Sequence, residues 1–130
     1  MTAIFKLKKQ IQQLLLLDKE GVLKASCDSI FASKGYLNNS VLPYFPLVES
    51  VFPMIQKLQV NDPEVEFGAV ETAFAKLPGI YDFSFIKMRA SQSDMILWII
   101  KDHTKEYKEK TFQQQLQNEM IIAKELLNRR

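Results

Sequence analysis

The sequence predicts an α+β domain in which helices pack against one face of an antiparallel sheet. Three observations carry this prediction: hairpin patterns lie on both sides of a helical middle, an apolar run follows them, and the chain ends in a stretch without Gly or Pro. Antiparallel hairpins separated by a helical segment are typical of this class, because the sheet must bury its apolar face against another element. A length of 130 residues fits one domain.

Composition and charge narrow the class of protein further. Apolar residues make up 47% of the chain and charged residues 25%, as in ordinary globular domains. The 17 basic and 15 acidic residues are nearly balanced, whereas nucleic-acid binding calls for a concentrated basic face. No apolar run approaches the ~20 residues of a membrane-spanning helix, and no secretory signal pattern is found. We therefore expect a cytoplasmic protein with no nucleic-acid partner and no membrane span in this segment.

The first elements are predicted to be a helix and a hairpin. Over residues 4–13, apolar residues recur at the spacing of an amphipathic helix: Ile4, Leu7 and Ile11. The leucines at 14–17 then run into Asp-Lys-Glu-Gly at 18–21, a turn composition, before a second short strand at 22–26. The leucine run alone is equally compatible with a helix.

The middle of the chain, residues 28–61, is predicted to contain loops and short helices. Prolines at positions 43, 46 and 53 mark loops and helix starts. The main internal helix is predicted where apolar residues share one stripe: Leu47, Val51, Met54, Ile55 and Leu58.

Two long strand-like runs follow, over residues 64–76 and 80–89. Pro78 and Gly79 between them suit the central positions of a type II turn, so the runs are predicted to pair as a hairpin. Alternation in the first run places Glu71 on one face of the strand and the other two glutamates of that run, Glu64 and Glu66, on the opposite face. A solvated sheet edge explains these acidic residues better than a metal site does.

The last strand and the exit helix complete the pattern. Residues 95–101 are nearly all apolar and predict a strand at the centre of the sheet. Residues 105–130 contain no Gly or Pro and predict a long helix, with a coiled-coil seam of four residues: Leu116, Met120, Ala123 and Leu127. A firm coiled coil needs about three or four heptads, so packing of this helix on its own sheet is the alternative.

With these elements in place, the chain resembles the PAS sensor domains over about residues 11–112. The matching features are the first hairpin with its Asp-Lys-Glu-Gly turn, the helical middle, the three later strands and the long helix. The sharpest one is Asp102-x-Thr104, which is similar to the Asp-x-Thr motif that closes many bacterial PAS domains before a signalling helix. The resemblance implies a five-stranded antiparallel sheet of order 2-1-5-4-3 around a small-molecule cavity, dimer formation, and a helix that feeds an effector.

The implied division of the chain is an N-terminal amphipathic helix at 1–10, a PAS-like sensor domain at 11–104 and a signalling or coiled-coil helix at 105–130. Asp102 and Thr104 are the candidate signal-coupling residues at the last boundary. Thr104 can accept a hydrogen bond from an amide at the helix start, and the charge of Asp102 favours its positive end. The alternative is that both residues only cap the helix.

Six apolar residues are the candidate lining of a ligand cavity: Phe52, Ile55, Phe67, Phe83, Phe85 and Trp98. Because aromatic residues at strand and helix spacing are more often core filler, a filled core is the competing interpretation. No cofactor is predicted, although a small organic ligand is compatible with such a lining. Haem-binding PAS domains supply a histidine from the helical middle, which residues 41–60 lack, and the segment around Cys27 does not match the photoactive flavin motif Gly-x-Asn-Cys-Arg-Phe. Haem and photoactive flavin are therefore disfavoured.

The sequence predicts neither a metal site nor a catalytic site. The chain has one cysteine and one histidine, His103, which are too few for the usual thiolate or imidazole metal sites. The motifs of nucleophilic catalysis and phosphate binding are absent. An acid–base site on Asp82 and Tyr81 is the remaining enzymatic alternative, and it is weak because neighbours in a strand alternate between opposite faces.

The resemblance therefore implies a sensory and dimerisation module of a signal-transduction protein, such as the input domain of a sensor histidine kinase in a two-component system. The expected partners are a second copy of the chain, an effector domain of the same protein beyond Arg130, and a small-molecule ligand if the cavity is open. No catalytic activity is expected of residues 1–130 themselves. The alternative is a PAS-fold interaction module that dimerises a longer protein without sensing a ligand.

Overall fold

The computed structural model describes residues 11–74 and 77–129. They form a five-stranded antiparallel sheet in the order β2-β1-β5-β4-β3, so the α+β class and the strand order are confirmed. In chain order, the elements are β1 (Gln12–Leu17), β2 (Leu23–Cys27), α1 (Pro46–Gln56), β3 (Val65–Phe74), β4 (Leu77–Ala90), β5 (Ser93–Asp102) and α2 (Thr104–Asn128). The N-terminal helix expected at 1–10 lies outside the described residues.

The core lies between the sheet and α1. Its buried side chains include Val48, Phe52 and Ile55 from the helix and, from the strands, Leu15, Leu17, Phe83, Phe85, Ile96, Trp98 and Ile100. The helix begins at Pro46, where the ring presets a helical φ and the missing N–H is not needed for the first turn. Two 3-10 turns connect β2 to this helix, as expected for the helical middle.

The β1–β2 turn has the form that its sequence predicts. The carboxylate of Asp18 accepts hydrogen bonds from the backbone N–H groups of Glu20 and Val22, at 2.8 and 3.0 Å. Gly21 has a φ of 87°, in the left-handed region that glycine adopts most easily. The turn therefore fixes the register between the two strands.

A buried glutamine anchors the loop that follows β2. Gln13 of β1 is fully buried, and its Oε1 accepts hydrogen bonds from the backbone N–H groups of Ile30 and Phe31 at 3.0 and 2.9 Å. Its Nε2 donates to Asp28 at 3.1 Å and to Ser26 at 3.3 Å. The prediction of a helix that extends to residue 13 is therefore wrong, because this side chain is needed inside the sheet.

The carboxylate of Asp28 accepts several hydrogen bonds in the same loop. Its carboxylate accepts from the hydroxyl of Ser26 at 2.6 Å and from the hydroxyl and backbone N–H of Ser33 at 2.7 and 2.9 Å. Burial alone would raise the pKa of Asp28, but the hydrogen bonds from Ser26 and Ser33 together lower it. The contribution of these bonds to stability is present above the ordinary pKa of Asp28 and is lost as the pH falls through the lowered one.

The β3–β4 hairpin is confirmed, but the turn predicted at Pro78 and Gly79 is wrong. Both residues lie inside β4, where they pair with Ala73 and Thr72 of β3. Gly79 also lacks the positive φ that a type II turn requires. Pro78 is tolerated there because it lies near the start of its strand, before the residues of β4 that pair with β5, Tyr81 to Ala90.

A bulge interrupts β3 between Phe67 and Val70. There, Gly68 and Ala69 lie opposite the single residue Asp82 of β4, as in other bulges with one extra residue. Ala69 has a φ of 55°, a left-handed conformation that is uncommon outside glycine.

The bulge changes which glutamates share a face. Glu66 pairs with Ser84 and Glu71 pairs with Ile80, two positions that lie on the same face of β4. The prediction that Glu71 lies opposite Glu64 and Glu66 is therefore wrong, because it assumed an uninterrupted strand.

The exit helix α2 leaves the sheet directly after β5. Thr104 and Tyr107 are half-buried, whereas every residue from Lys108 to Arg129 is exposed. The alternative in which this helix packs back on its own sheet is therefore wrong. Neither helix in the described part of the chain combines the length and the apolar composition that a membrane span requires.

Candidate functional site at the junction of sheet and exit helix

The six candidate cavity residues lie together between α1 and the sheet. Trp98 is fully buried at their centre, with its ring centroid 5.2 Å from that of Phe83 and 6.0 Å from that of Phe85. Phe67 is half-buried against Phe85 at 6.0 Å. Phe45, which precedes α1, adds a ring 5.1 Å from Trp98. We call these five residues the aromatic cluster.

One polar atom lies inside the aromatic cluster. The indole Nε1 of Trp98 is buried and has no hydrogen-bond partner among the described residues. The surrounding rings offer only their π faces, which are weaker acceptors than an oxygen atom. The aromatic cluster therefore combines an apolar lining with one donor, while ligand binding by these residues stays a prediction.

Hydrogen bonds of the Asp102-x-Thr104 motif connect the end of β5 and the start of α2 to β4. Asp102 Oδ1 accepts a hydrogen bond from the Thr104 N–H at 3.0 Å. The Thr104 hydroxyl accepts from the N–H of Ile80 in β4 at 2.9 Å and donates to the carbonyl of Ile80 at 3.3 Å. The His103 N–H donates to the same carbonyl at 2.9 Å. The first turn of α2 is thus fastened to β4.

The predicted roles of the two motif residues need one correction. Asp102, not Thr104, accepts a hydrogen bond from a free N–H group at the start of the helix. That N–H belongs to Thr104, which is already the first helical residue. Since the Thr104 hydroxyl bonds to Ile80 on the neighbouring strand, the motif links two elements as well as capping one. Coupling through these residues stays a prediction.

Gly79 of β4 lies against this junction. A Cβ at this position would lie 2.7 Å from the Tyr81 hydroxyl and 2.8 Å from Thr104 Oγ1. Burial raises the pKa of Tyr81, and the charge of Asp102 raises it further, so its hydroxyl stays protonated in this narrow space. The missing side chain of Gly79 therefore lets the first turn of α2 approach β4 closely.

A second group of polar side chains lies at the same junction and was not among the predicted coupling residues. Asp82 Oδ2 lies 3.2 Å from His103 Nε2. Asp82 Oδ1 accepts hydrogen bonds from the Tyr107 hydroxyl at 3.2 Å and from the Ala69 N–H in the β3 bulge at 3.0 Å. We call Asp82, His103 and Tyr107 the Asp82 cluster. Tyr81 belongs to the core instead, on the face of β4 opposite Asp82.

The phenol of Tyr107 is held in its protonated form. Burial raises its pKa above the usual value of 10.0, and the hydrogen bond to Asp82 and the charge of that carboxylate raise it further. Tyr107 is therefore a donor to Asp82 at neutral pH. The contribution of this bond to stability is present below the usual pKa and is lost as the pH rises through the raised one.

Open grooves flank the first turns of α2. One groove, of about 520 Å³, lies between the helix and Ile11, and another, of about 460 Å³, lies between the helix and the β3–β4 hairpin near Ile80. Both reach Lys108. The side chains that hold α2 to the sheet are therefore concentrated in its first turn, at Thr104 and Tyr107.

The four predicted seam residues are exposed on one face of α2. Leu116, Met120 and Leu127 are 44%, 68% and 64% exposed, and Ala123 is exposed between them. At about 100° per residue, the four fall within an arc of about 60°. Phe112, 61% exposed, extends this stripe by one turn and was missed in the sequence because it lies one position before the heptad register.

The apolar stripe and the sheet contacts occupy different faces of α2. Thr104 and Tyr107 point about 130° and 170° away from the centre of the stripe. The helix can therefore hold the sheet with one face while another apolar face remains open to a partner.

The fold is similar to that of a solved domain. The crystal structure of the PAS domain of an HTR-like protein from Haloarcula marismortui superimposes with a TM-score of 0.58 and 14% sequence identity, and the match covers 70% of this chain and 85% of that chain. The chain therefore has a PAS fold. At the level of sequence, no protein-family model matches the chain, and no match is found among curated proteins.

Proposed function

We propose that this PAS-fold domain is a sensory and dimerisation module of a signal-transduction protein, with α2 as its output. The observation that carries this proposal is the junction, where Asp102 and Thr104 fasten the first turn of an otherwise exposed helix to β4 and β5. The fold of the similar domain, which comes from an HTR-like protein, supports the same reading.

The proposed relay of a signal from the sheet to α2 depends on the small number of contacts that hold this helix. Thr104 bonds to both backbone groups of Ile80, so a shift of β4 relative to β5 displaces the first turn of α2 directly. A helix of 25 residues then carries that displacement over roughly 37 Å, at about 1.5 Å per residue. An effector joined after Arg130, such as a histidine kinase, would receive it.

The functional unit of this proposal is a homodimer. A solvent-exposed helix gains most of its stability by burying an apolar face, and the stripe on α2 has no partner among the described residues of its own chain. A second copy of the chain presents the same stripe, so two helices can bury these side chains against each other about a two-fold axis.

The signal that enters the domain has two candidate sources. A small organic ligand would lie in the aromatic cluster, where the Trp98 Nε1 offers one donor. The alternative is an interaction module with a filled core, which is favoured by ring centroids only 5.1 to 6.0 Å apart around Trp98. Native mass spectrometry of the protein purified from its own cells separates these functions by the presence or absence of a bound ligand. Neither function requires catalysis by the described residues.

Disruption of the stripe tests the dimer. The chain of 15.1 kDa is expected to show twice this mass by light scattering at high micromolar concentration. The double variant Leu116→Asp with Met120→Asp is expected to show the mass of one chain, because it places charges at the centre of the seam.

Ile121→Asp is the matched control for this experiment. Ile121 is as exposed as the seam residues, at 57%, but it lies about 130° away from the centre of the stripe. We expect this variant to remain dimeric. A wild-type chain that is monomeric at the same concentration contradicts the proposed dimer.

A further inference from the structure

We infer that Asp82 is a positioning residue that couples the bulge of the edge strand β3 to α2, so that a change at the β3 edge reaches the exit helix. This inference rests on the proposed function of α2 as the output and adds the route by which one strand acts on it. The route consists of Ala69, Asp82 and the two aromatic side chains of the Asp82 cluster.

One carboxylate lies against three residues at this point. The two oxygens of an ionised carboxylate accept up to about four hydrogen bonds. At Asp82, Oδ1 is shared between the Ala69 N–H of β3 at 3.0 Å and the Tyr107 hydroxyl of α2 at 3.2 Å. Oδ2 lies 3.2 Å from His103 at the start of the helix. A displacement of any one partner therefore changes the position of the acceptor for the others.

The bulge and the carboxylate depend on each other. The extra residue in β3 takes the Ala69 N–H out of the regular ladder with β4, and Asp82 accepts it instead. The left-handed φ of 55° at Ala69 is unfavourable for a residue with a Cβ and persists only where neighbouring contacts maintain it. Asp82 provides such a contact.

Tyr107 brings the helix against the same bulge. Its hydroxyl lies 3.7 Å from the position that a Cβ would occupy on Gly68. Its ring also packs beside that of His103, with centroids 5.8 Å apart. The side chain thus lies against the bulge, the carboxylate and the imidazole, so a shift of any one of them changes its surroundings.

The Asp102-x-Thr104 motif does not reach β3. Its bonds end at Ile80 of β4, whereas β3 is the edge strand and pairs only with β4. Among the described residues, the side-chain contacts from the β3 bulge to α2 run through Asp82 and Tyr107. An edge strand offers unpaired backbone groups to other chains, so this route connects an accessible edge to the output helix.

Hydrogen exchange of three segments tests the coupling. In Asp82→Ala, the Ala69 amide and the amides of residues 105–111 are expected to exchange at least about tenfold faster, because both lose the shared acceptor. Residues 96–100 of β5 should keep their protection, which separates local loosening from global unfolding. In Asp82→Asn, the amide oxygen can still accept both bonds, so most of the protection is expected to return.

A variant of Tyr107, the partner of Asp82 on α2, distinguishes coupling from two independent hydrogen bonds. Tyr107→Phe removes a hydroxyl of α2 and leaves the bond between Ala69 and Asp82 intact, yet coupling requires the Ala69 amide to exchange faster as well. Glu106→Gln, a change of an exposed carboxylate in the same helical turn, is the control and should alter neither segment.

The results distinguish a failure of the coupling through Asp82 from a failure of the proposed function. If Tyr107→Phe loosens α2 and leaves Ala69 unchanged, or if Asp82→Asn exchanges as fast as Asp82→Ala, the coupling through Asp82 is wrong. Neither result depends on dimer formation or on a bound ligand, so the proposed function would stand. A monomeric wild-type chain with intact reciprocity would contradict the dimer and leave the route through Asp82 in place.

Discussion

Replacing Trp98 by alanine is expected to lower the free energy of unfolding by about 3–5 kcal/mol, the usual effect of removing a large buried aromatic side chain. Trp98 is fully buried and contacts Phe45 before α1 and Phe83 and Phe85 in β4. These rings are held on opposite sides of the core, Phe45 before α1 and the other two on β4, and cannot all move into the vacated space. Since domains of this size are stable by about 5–15 kcal/mol, urea denaturation should show a much lower midpoint.

Trp98→Phe is the control that separates packing from hydrogen bonding. This variant keeps an aromatic ring in the aromatic cluster and removes the indole Nε1. Because that atom has no partner among the described residues, its loss should add little, and the total cost should be well below that of Trp98→Ala. If Trp98→Phe is as unstable as Trp98→Ala, Nε1 has an acceptor and the cluster holds more than packed rings.

Replacing Gln13 by alanine is expected to cost on the order of 2–4 kcal/mol, since each buried donor left without an acceptor costs about 1–3 kcal/mol. The variant removes the acceptor of the Ile30 and Phe31 N–H groups and one donor to Asp28. The loop after β2 should therefore loosen first. Thermal unfolding measures the global effect, and amide exchange at residues 30 and 31 measures the local one.

Gln12→Ala is the matched control, because Gln12 is the exposed neighbour of Gln13 in the same strand. Surface substitutions of this kind change stability by no more than about 0.5 kcal/mol. Equal losses in the two variants would show that the buried hydrogen bonds of Gln13 contribute nothing specific.

The features that follow from local patterns were predictable. The apolar run of β5 and the hairpin pattern on each side of the helical middle come from alternation and turn composition, which neighbouring residues determine. The exit helix follows from the absence of Gly and Pro over residues 105–130. The strand order follows from the resemblance to PAS domains, of which Asp102-x-Thr104 is the sharpest feature, since alternation alone does not specify which strands pair.

The errors in the β3–β4 hairpin have a common cause. Pro78 and Gly79 have the composition of a turn, but the pairing of two long strands sets the register and places both residues inside β4. Gly68 in the middle of a strand-like run was the signal for a bulge, because glycine within a strand often marks one. An uninterrupted strand predicts the opposite faces for the residues of β3 after the bulge.

The Asp82 cluster could not be predicted because it joins residues that are distant in the sequence. Asp82 lies 13 positions from Ala69 and 25 from Tyr107, and no periodic pattern connects them. Gln13 is not predicted for a related reason: in the helix predicted over residues 4–13, a polar residue looks like a surface position until the loop that it binds is placed. The exposed seam on α2, in contrast, followed from the heptad spacing alone.

Hydrogen exchange in the double variant Asp102→Ala with Thr104→Ala tests the central claim, that the motif fastens α2, the proposed output helix, to the sheet. Each lost cap or anchoring bond costs about 1 kcal/mol, so the pair should cost on the order of 2 kcal/mol if the two effects add. The loss should be local, because the core lies before the motif in the chain and does not include either side chain.

Amides from residues 105 to 115 are expected to lose protection in this variant, while those from residues 95 to 100 keep theirs. Such a pattern means that α2 opens as a separate unit when its attachment to Ile80 is removed. Equal loss of protection in both segments, or no change in either, would contradict the claim that these two residues couple the sheet to the helix.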